Sequence, residues 1–205
     1  DKSFEAVFLY LACLRTGAIY IPLNTAYTAS EVGYFLNDAT PRVFVCTPAR
    51  REELADVASR AGVTSLLTLG ADGAGELMAA AMVLPESQMV ADVDGDDLAA
   101  ILYTSGTTGR SKGAMLSHAN LASNAQVLYE TWQWQTDDVL LHALPIFHVH
   151  GLFVALHCAL LGGSRVIFLP RFDVDQMIAR LPEAPPMPAT GLPSGSTTRP
   201  VREPP

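Results

Sequence analysis

The stretch from residue 98 to residue 117 constrains this chain more than any other. Leu98-Ala99-Ala100-Ile101-Leu102 is an uninterrupted apolar run of strand length, and it opens into Tyr103-Thr104-Ser105-Gly106-Thr107-Thr108-Gly109-Arg110-Ser111-Lys112-Gly113. Residues 112–117 then read as a second strand, expected to pair with the first as a hairpin. A loop that leaves the carboxyl end of a buried strand stands where α/β sheets bind their ligands. Gly106, Gly109 and Gly113 are expected to let the backbone approach a ligand closely and take positive φ. Thr104, Ser105, Thr107 and Thr108 carry hydroxyl donors, and Lys112 carries one positive charge. Flexible N–H groups, hydroxyls and a cation on one bend are the combination a polyphosphate requires. The bend is not a Walker P-loop, which has four residues between its glycines and ends in Gly-Lys-Ser/Thr. Here two residues separate Gly106 from Gly109, and Lys112 precedes Gly113.

The rest of the chain alternates helix and strand patterns. Helices are expected over residues 3–16, 28–38, 50–61, 117–131, 148–161 and 173–181, and strands over 18–23, 42–46, 64–69, 138–143 and 165–169. Thr28 with Glu31, and Asp173 with Gln176, have capping-box spacing. Residues 70–97, rich in Gly, Ala and Asp, read as a surface helix and a linker. Strands separated by helices predict an α/β fold, a mostly parallel sheet with helices on both faces.

Composition narrows the function. Hydrophobic residues make up 49% of 205 and charged residues 17%, enough apolar content for a sizeable core. The net charge of −8, with no run of Lys or Arg, argues against nucleic acid as a partner, which would need a basic stripe. A phosphate ligand must then be held locally. Three widely spaced cysteines (Cys13, Cys46, Cys158) fit a reducing compartment, read as cytoplasmic. The longest apolar stretch, 147–161, is broken by His148, His150 and His157, so no membrane span is expected. The histidines at 142, 148, 150 and 157 lack the spacing and companion ligands of a zinc site, and no protein-bound metal site is assigned.

Residues 103–113 resemble the signature loop of the acyl-adenylate-forming (AMP-binding) superfamily. Three more stretches agree. Leu14-Arg15-Thr16-Gly17-Ala18-Ile19-Tyr20-Ile21-Pro22-Leu23-Asn24 resembles its early glycine-turn motif, and residues 97–102 match its lead-in strand. Leu144-Pro145-Ile146-Phe147-His148-Val149-His150-Gly151 resembles the motif walling the acyl pocket. The details over residues 22–28, 110–118 and 148–155 are most similar to malonyl-CoA synthetases, with Val149 departing from an expected Thr. The resemblance implies an acid–thiol ligase using ATP with Mg²⁺, coenzyme A and a dicarboxylic or other small carboxylic acid. It assigns Thr104, Ser105, Gly106, Thr107, Thr108, Gly109 and Lys112 to the nucleotide phosphates. Lys112, His148 and Thr104 are its catalytic candidates, His148 as a wall of the acyl pocket; Tyr20, Tyr27 and Tyr103 read as packing residues.

The resemblance covers about residues 3–182, taken as part of an AMP-binding domain. The family's adenine- and ribose-binding motifs, its Mg²⁺-coordinating Glu and its C-terminal lysine domain are not found. Residues 183–205 break the pattern: eight of the fourteen prolines lie between Pro182 and Pro205, with few large apolar residues. This tail is expected to be disordered or read off-frame, and the chain to be a fragment, inactive alone. A nucleotide-binding remnant without catalysis, and other acyl- or aryl-CoA synthetases, remain as alternatives.

Overall fold

A computed structural model describes residues 1–104 and 111–183. The first element, α1 (Phe4–Thr16), begins where Ser3 accepts the Ala6 N–H on its hydroxyl and ends where Gly17 takes a left-handed conformation, φ 69°. Such a stop suits glycine, which has no Cβ to clash. Residues 18–23 then run extended, as expected, but pair only at Tyr20. Its N–H donates to Ala99 O and its carbonyl accepts from Ile101 N–H.

Helix α2 (Ala29–Ala39) has the anticipated capping box, with both reciprocal bonds between Thr28 and Glu31 formed. Strand β1 (Val43–Cys46), helix α3 (Arg51–Arg60) and strand β2 (Ser65–Thr68) follow, and β1 and β2 pair in parallel. Val32, Leu36, Cys46, Leu54 and Ala58 bury one another in a core shared by α2, α3 and β1.

After helix α4 (Glu76–Met82) and an irregular linker, β3 (Leu98–Thr104) and β4 (Lys112–Ser117) form the expected hairpin. Ser117 caps α5 (His118–Thr131). Strands β5 (Val139–His142) and β6 (Arg165–Phe168) pair in parallel. Asp173 caps α7 (Val174–Arg180) by accepting the Gln176 N–H. The fold is mixed α/β with parallel strand pairs, and among the described residues the strands lie in three pairs.

Residues 148–161 depart from the uninterrupted helix expected. They wind as a π-helical segment, His150–Leu156, before α6 (His157–Gly162). Side chains from other elements engage two carbonyls of the wide turns. His142 Nε2–H donates to Gly151 O at 2.9 Å, and Asn124 Nδ2 donates to Phe153 O at 3.1 Å.

The larger core joins α1, β3, α5 and this segment through Tyr10, Ala99, Ala100, Leu102, Leu121, Leu152, Phe153 and Leu156. At its centre Tyr10 is fully buried and its hydroxyl lies 2.7 Å from His157 Nε2. Burial pushes the His157 imidazole down to about 4, so at neutral pH it is uncharged and can accept the Tyr10 proton. Lys2 ties the carboxyl ends of β5 and β6 together, donating to His142 O at 2.8 Å and Leu169 O at 2.6 Å, with its ammonium 4.3 Å from the Phe168 ring centre. No described helix is long and apolar enough to cross a membrane.

Candidate functional site

Burial falls along the described part of the hairpin, from its base toward Thr104 and Lys112. Ala99 and Ala100 are wholly buried on β3, while Thr104 at its end is exposed. The register pairs Thr104 with Lys112 and Tyr103 with Gly113. A hydroxyl and an ammonium therefore face each other across the open end of the ladder, both reaching solvent. Two of the residues expected to hold phosphate are thus brought together by strand pairing. Ser105, Gly106, Thr107, Thr108 and Gly109 lie outside the described residues.

Gly113 does not take the left-handed conformation expected of it. Its φ is not positive. A Cβ there would sit 2.8 Å from Ile101 Cγ2, so glycine is needed to let that side chain lie across β4. Tyr103 packs against Phe35 of α2, ring centres 4.5 Å apart, and its hydroxyl donates to Asp38 Oδ2 at 2.6 Å. Burial first, then the Asp38 carboxylate, holds the Tyr103 proton well above its ordinary range. Tyr20 packs edge-on to Tyr10, and Tyr27 against Phe35.

The segment following β5 supplies the other candidate. Ala143 and Ile146 are buried, and His148 is exposed just before the π-helical turns, its ring 4.5 Å from that of Phe147. No hydrogen bond among the described residues joins His148 to Thr104 or Lys112. Gly151 is buried against the Pro145 carbonyl, and that close approach fixes the course of residues 144–147.

A cavity of about 1050 Å³ lies between α1, residues 17–23, β1 and residues 143–147. Its wall includes Ile101, Pro145, Ile146 and Phe147 but not His148, Thr104 or Lys112. Small-molecule sites usually occupy roughly 300–1,000 Å³, and this space, mostly apolar but with Lys2, Arg42 and Arg171 on its wall, is at the upper end of that range. Lys2 lines it, and burial lowers its ammonium to about 8.

His142 and His157 are spoken for elsewhere, by Gly151 O and Tyr10. Burial first, then the nearby Lys2 charge, pushes His142 down to about 4. Its Nδ1 is buried with no partner. Among the described residues, no three His, Cys, Asp or Glu side chains converge on a common point.

A hydroxyl and a lysine thus stand opposite each other near the end of a hairpin, on an α/β scaffold of parallel strand pairs. The chain belongs to the AMP-binding enzyme family, whose model matches residues 1–189. It is 36% identical over 167 residues to the mitochondrial malonate–CoA ligase of Mus musculus, covering 81% of this chain and 28% of that one. It is 33% identical over 186 residues to the malonate–CoA ligase of Arabidopsis thaliana, covering 90% and 31% respectively. Among solved structures, ATP-bound MatB from Rhodopseudomonas palustris superposes with a TM-score of 0.86 at 53% identity, over 90% of this chain and 36% of that one. The chain spans about a third of the length of these relatives.

Sequence reasoning missed Tyr34 and Asp38. Their spacing of four residues on a capped helix puts them on one face, which was the signal available. Their partners, 65 and 77 residues away, could not be read locally.

Proposed function

We propose that this chain is part of an ATP-dependent acid–CoA ligase acting on malonate or another small dicarboxylic acid. A carboxylate oxygen attacks the α-phosphorus of ATP, the α–β phosphoanhydride bond breaks, and pyrophosphate leaves with the electron pair. The sulfur of coenzyme A then attacks the acyl carbon, the bond to AMP breaks, and the thiol proton passes to solvent. Negative charge grows on the departing pyrophosphate. Donors already aimed at that position lower the barrier without reorganising. Thr104 and Lys112 fill this role, with Ser105, Gly106, Thr107, Thr108 and Gly109 between them. ATP enters as its magnesium complex, the ion belonging to the substrate and held by phosphate oxygens and water. His148 is read as a wall beside the acid.

One observation carries this reading: Thr104 and Lys112 are opposed in register at the solvated end of a hairpin whose base is buried. The likeness to malonate–CoA ligases and to MatB supports the choice of acid. Since the chain spans about a third of those proteins, we infer that it binds nucleotide without completing the reaction. The three free thiols support a reducing compartment, the cytoplasm in our reading.

Calorimetric titration of the 205-residue chain with ATP, pyrophosphate and AMP tests the phosphate assignment. ATP and pyrophosphate should bind, and Lys112→Ala should weaken both by about tenfold or more, the loss of one charge-assisted hydrogen bond, while AMP changes little. Unaltered pyrophosphate affinity in that variant would overturn the role of Lys112. AMP formation with coenzyme A and malonate, succinate, acetate or a long-chain fatty acid tests the rest. No turnover is expected from the chain alone; rapid turnover would refute that and rank the acids.

A further inference from the structure

Helix α2 reaches both legs of the hairpin beside its Thr104–Lys112 pair. On the outgoing leg, the Tyr103 hydroxyl donates to Asp38 Oδ2 at 2.6 Å. On the returning leg, the Tyr34 hydroxyl donates to the backbone carbonyl of Ser111 at 2.8 Å. Tyr34 and Asp38 stand one helical turn apart on α2, so a single rigid face meets the two strands next to Thr104 and Lys112. The rings reinforce this. Tyr103 lies 4.5 Å from Phe35 and 6.5 Å from Tyr34, centre to centre. The helix is itself anchored, through Val32 and Leu36, in the core it shares with α3 and β1.

We propose that Tyr34 and Asp38 are positioning residues for the phosphate-holding bend, setting the separation and direction of its two ends from outside it. The proposal rests on the phosphate reading given above. Neither residue suits direct contact with ATP. A carboxylate has no proton to donate at neutral pH and would repel phosphate. The Tyr34 hydroxyl has already committed its proton to Ser111. Glycine-rich segments lose more conformational freedom than others when they are ordered. Fixing both ends in advance reduces what must be ordered when the ligand binds, and so strengthens binding. The acceptor on Asp38, rather than its charge, is what the geometry requires. Asp38→Asn keeps a carbonyl oxygen for Tyr103, whereas Asp38→Ala removes it.

Limited trypsin cleavage after Arg110, with no nucleotide present, reads the tether directly. The Tyr34→Phe/Asp38→Ala double variant should be cut about tenfold faster than the parent, the effect of losing roughly one hydrogen bond's net free energy. Asp38→Asn should be cut at nearly the parental rate. Thermal unfolding followed in parallel confirms that each variant is folded at the assay temperature. Pyrophosphate affinity, measured by calorimetry, should fall about tenfold in the double variant and by much less in Asp38→Asn alone, which keeps both tethers. An unchanged cleavage rate in a folded double variant overturns the proposal. Faster cleavage with parental pyrophosphate affinity overturns it as well, since the tethers would then hold chain but not ligand geometry. If the parent itself binds no pyrophosphate, the phosphate reading fails and cleavage alone decides whether the tether exists.

Discussion

Gly151 is the position at which one methyl group should do the most damage. Its φ is not in the left-handed region, so alanine meets no conformational objection, and in a helical turn alanine is favoured by about 1 kcal/mol. The obstacle is space. A Cβ would lie within contact range of Leu144 Cβ, at 3.3 Å, and far inside it for Pro145, 2.8 Å from the carbonyl carbon and closer still to its oxygen. Comfortable separations are about 3.5–4.0 Å, so backbone must move by more than about 1 Å. Overpacking of this kind typically costs about 1–3 kcal/mol. The movement also carries Gly151 O away from His142 Nε2, now 2.9 Å distant. His142 already has Nδ1 without a partner, and stranding its second nitrogen adds about 1–3 kcal/mol. After the helix-propensity gain is subtracted, Gly151→Ala should be destabilising by about 1–5 kcal/mol. For a chain of this size that lowers Tm by roughly 2–20 °C. Thermal unfolding followed by circular dichroism measures it. A fall of less than about 2 °C would refute the reasoning, showing that residues 144–147 yield freely and that Gly151 does not define their path.

Other perturbations act on the same framework. His142 and His157 titrate near 4 in the folded chain against about 6.5 when unfolded, so unfolding takes up protons between those values. Stability should be full above pH 6.5 and decline toward pH 4, by up to about 1.4 kcal/mol per pH unit for each histidine; urea midpoints that do not move from pH 7 to 5 would contradict this. Tyr10→Phe removes the proton that His157 Nε2 accepts and should cost about 1–3 kcal/mol in urea unfolding, with Tyr10→Phe/His157→Leu milder than the sum of its parts because both polar partners are gone. Thr28→Ala breaks the capping box of α2 and should cost about 0.5–2 kcal/mol, read as faster amide exchange in the helix's first turn.

What could be read from the sequence was whatever is decided within a few residues. The caps at Ser3, Thr28, Ser117 and Asp173 form where the residue types predict, because a side-chain oxygen and an N–H three residues on need nothing else. The hairpin was legible for the same reason, an apolar run on either side of a polar bend. The π-helical turns were not. The apolar spacing of residues 148–161 is the same for an α-helix, and the wider winding coincides with contacts to His142, Asn124 and Pro145, which come from elsewhere in the chain. Tyr103 read as a packing residue, and it does pack, but its hydrogen bond to Asp38 spans 65 positions and has no local signature. Gly113 read as a residue of positive φ; it has none, and what it spares is a 2.8 Å approach to Ile101 Cγ2, a neighbour on the paired strand that no local pattern names.

The placement of Thr104 and Lys112 follows from the unequal support along β3. At its start the strand is held from several sides: Tyr20 pairs with its backbone, β4 flanks it, and α1 and α5 cover Ala99, Ala100 and Leu102. Toward its end β4 still pairs with it, Thr104 opposite Lys112, but Lys112, Gly113, Ala114 and Met115 on β4 are exposed. Further support there comes from α2, which is packed in the smaller core with α3 and β1. Phe35 of α2 and Tyr103 of β3 pack together beside the exposed hydroxyl and ammonium. A substitution buried in the smaller core, such as Leu54→Ala, touches no part of the phosphate bend, yet it should loosen α2 and be felt at Thr104 and Lys112 before it is felt at Ala99 and Ala100.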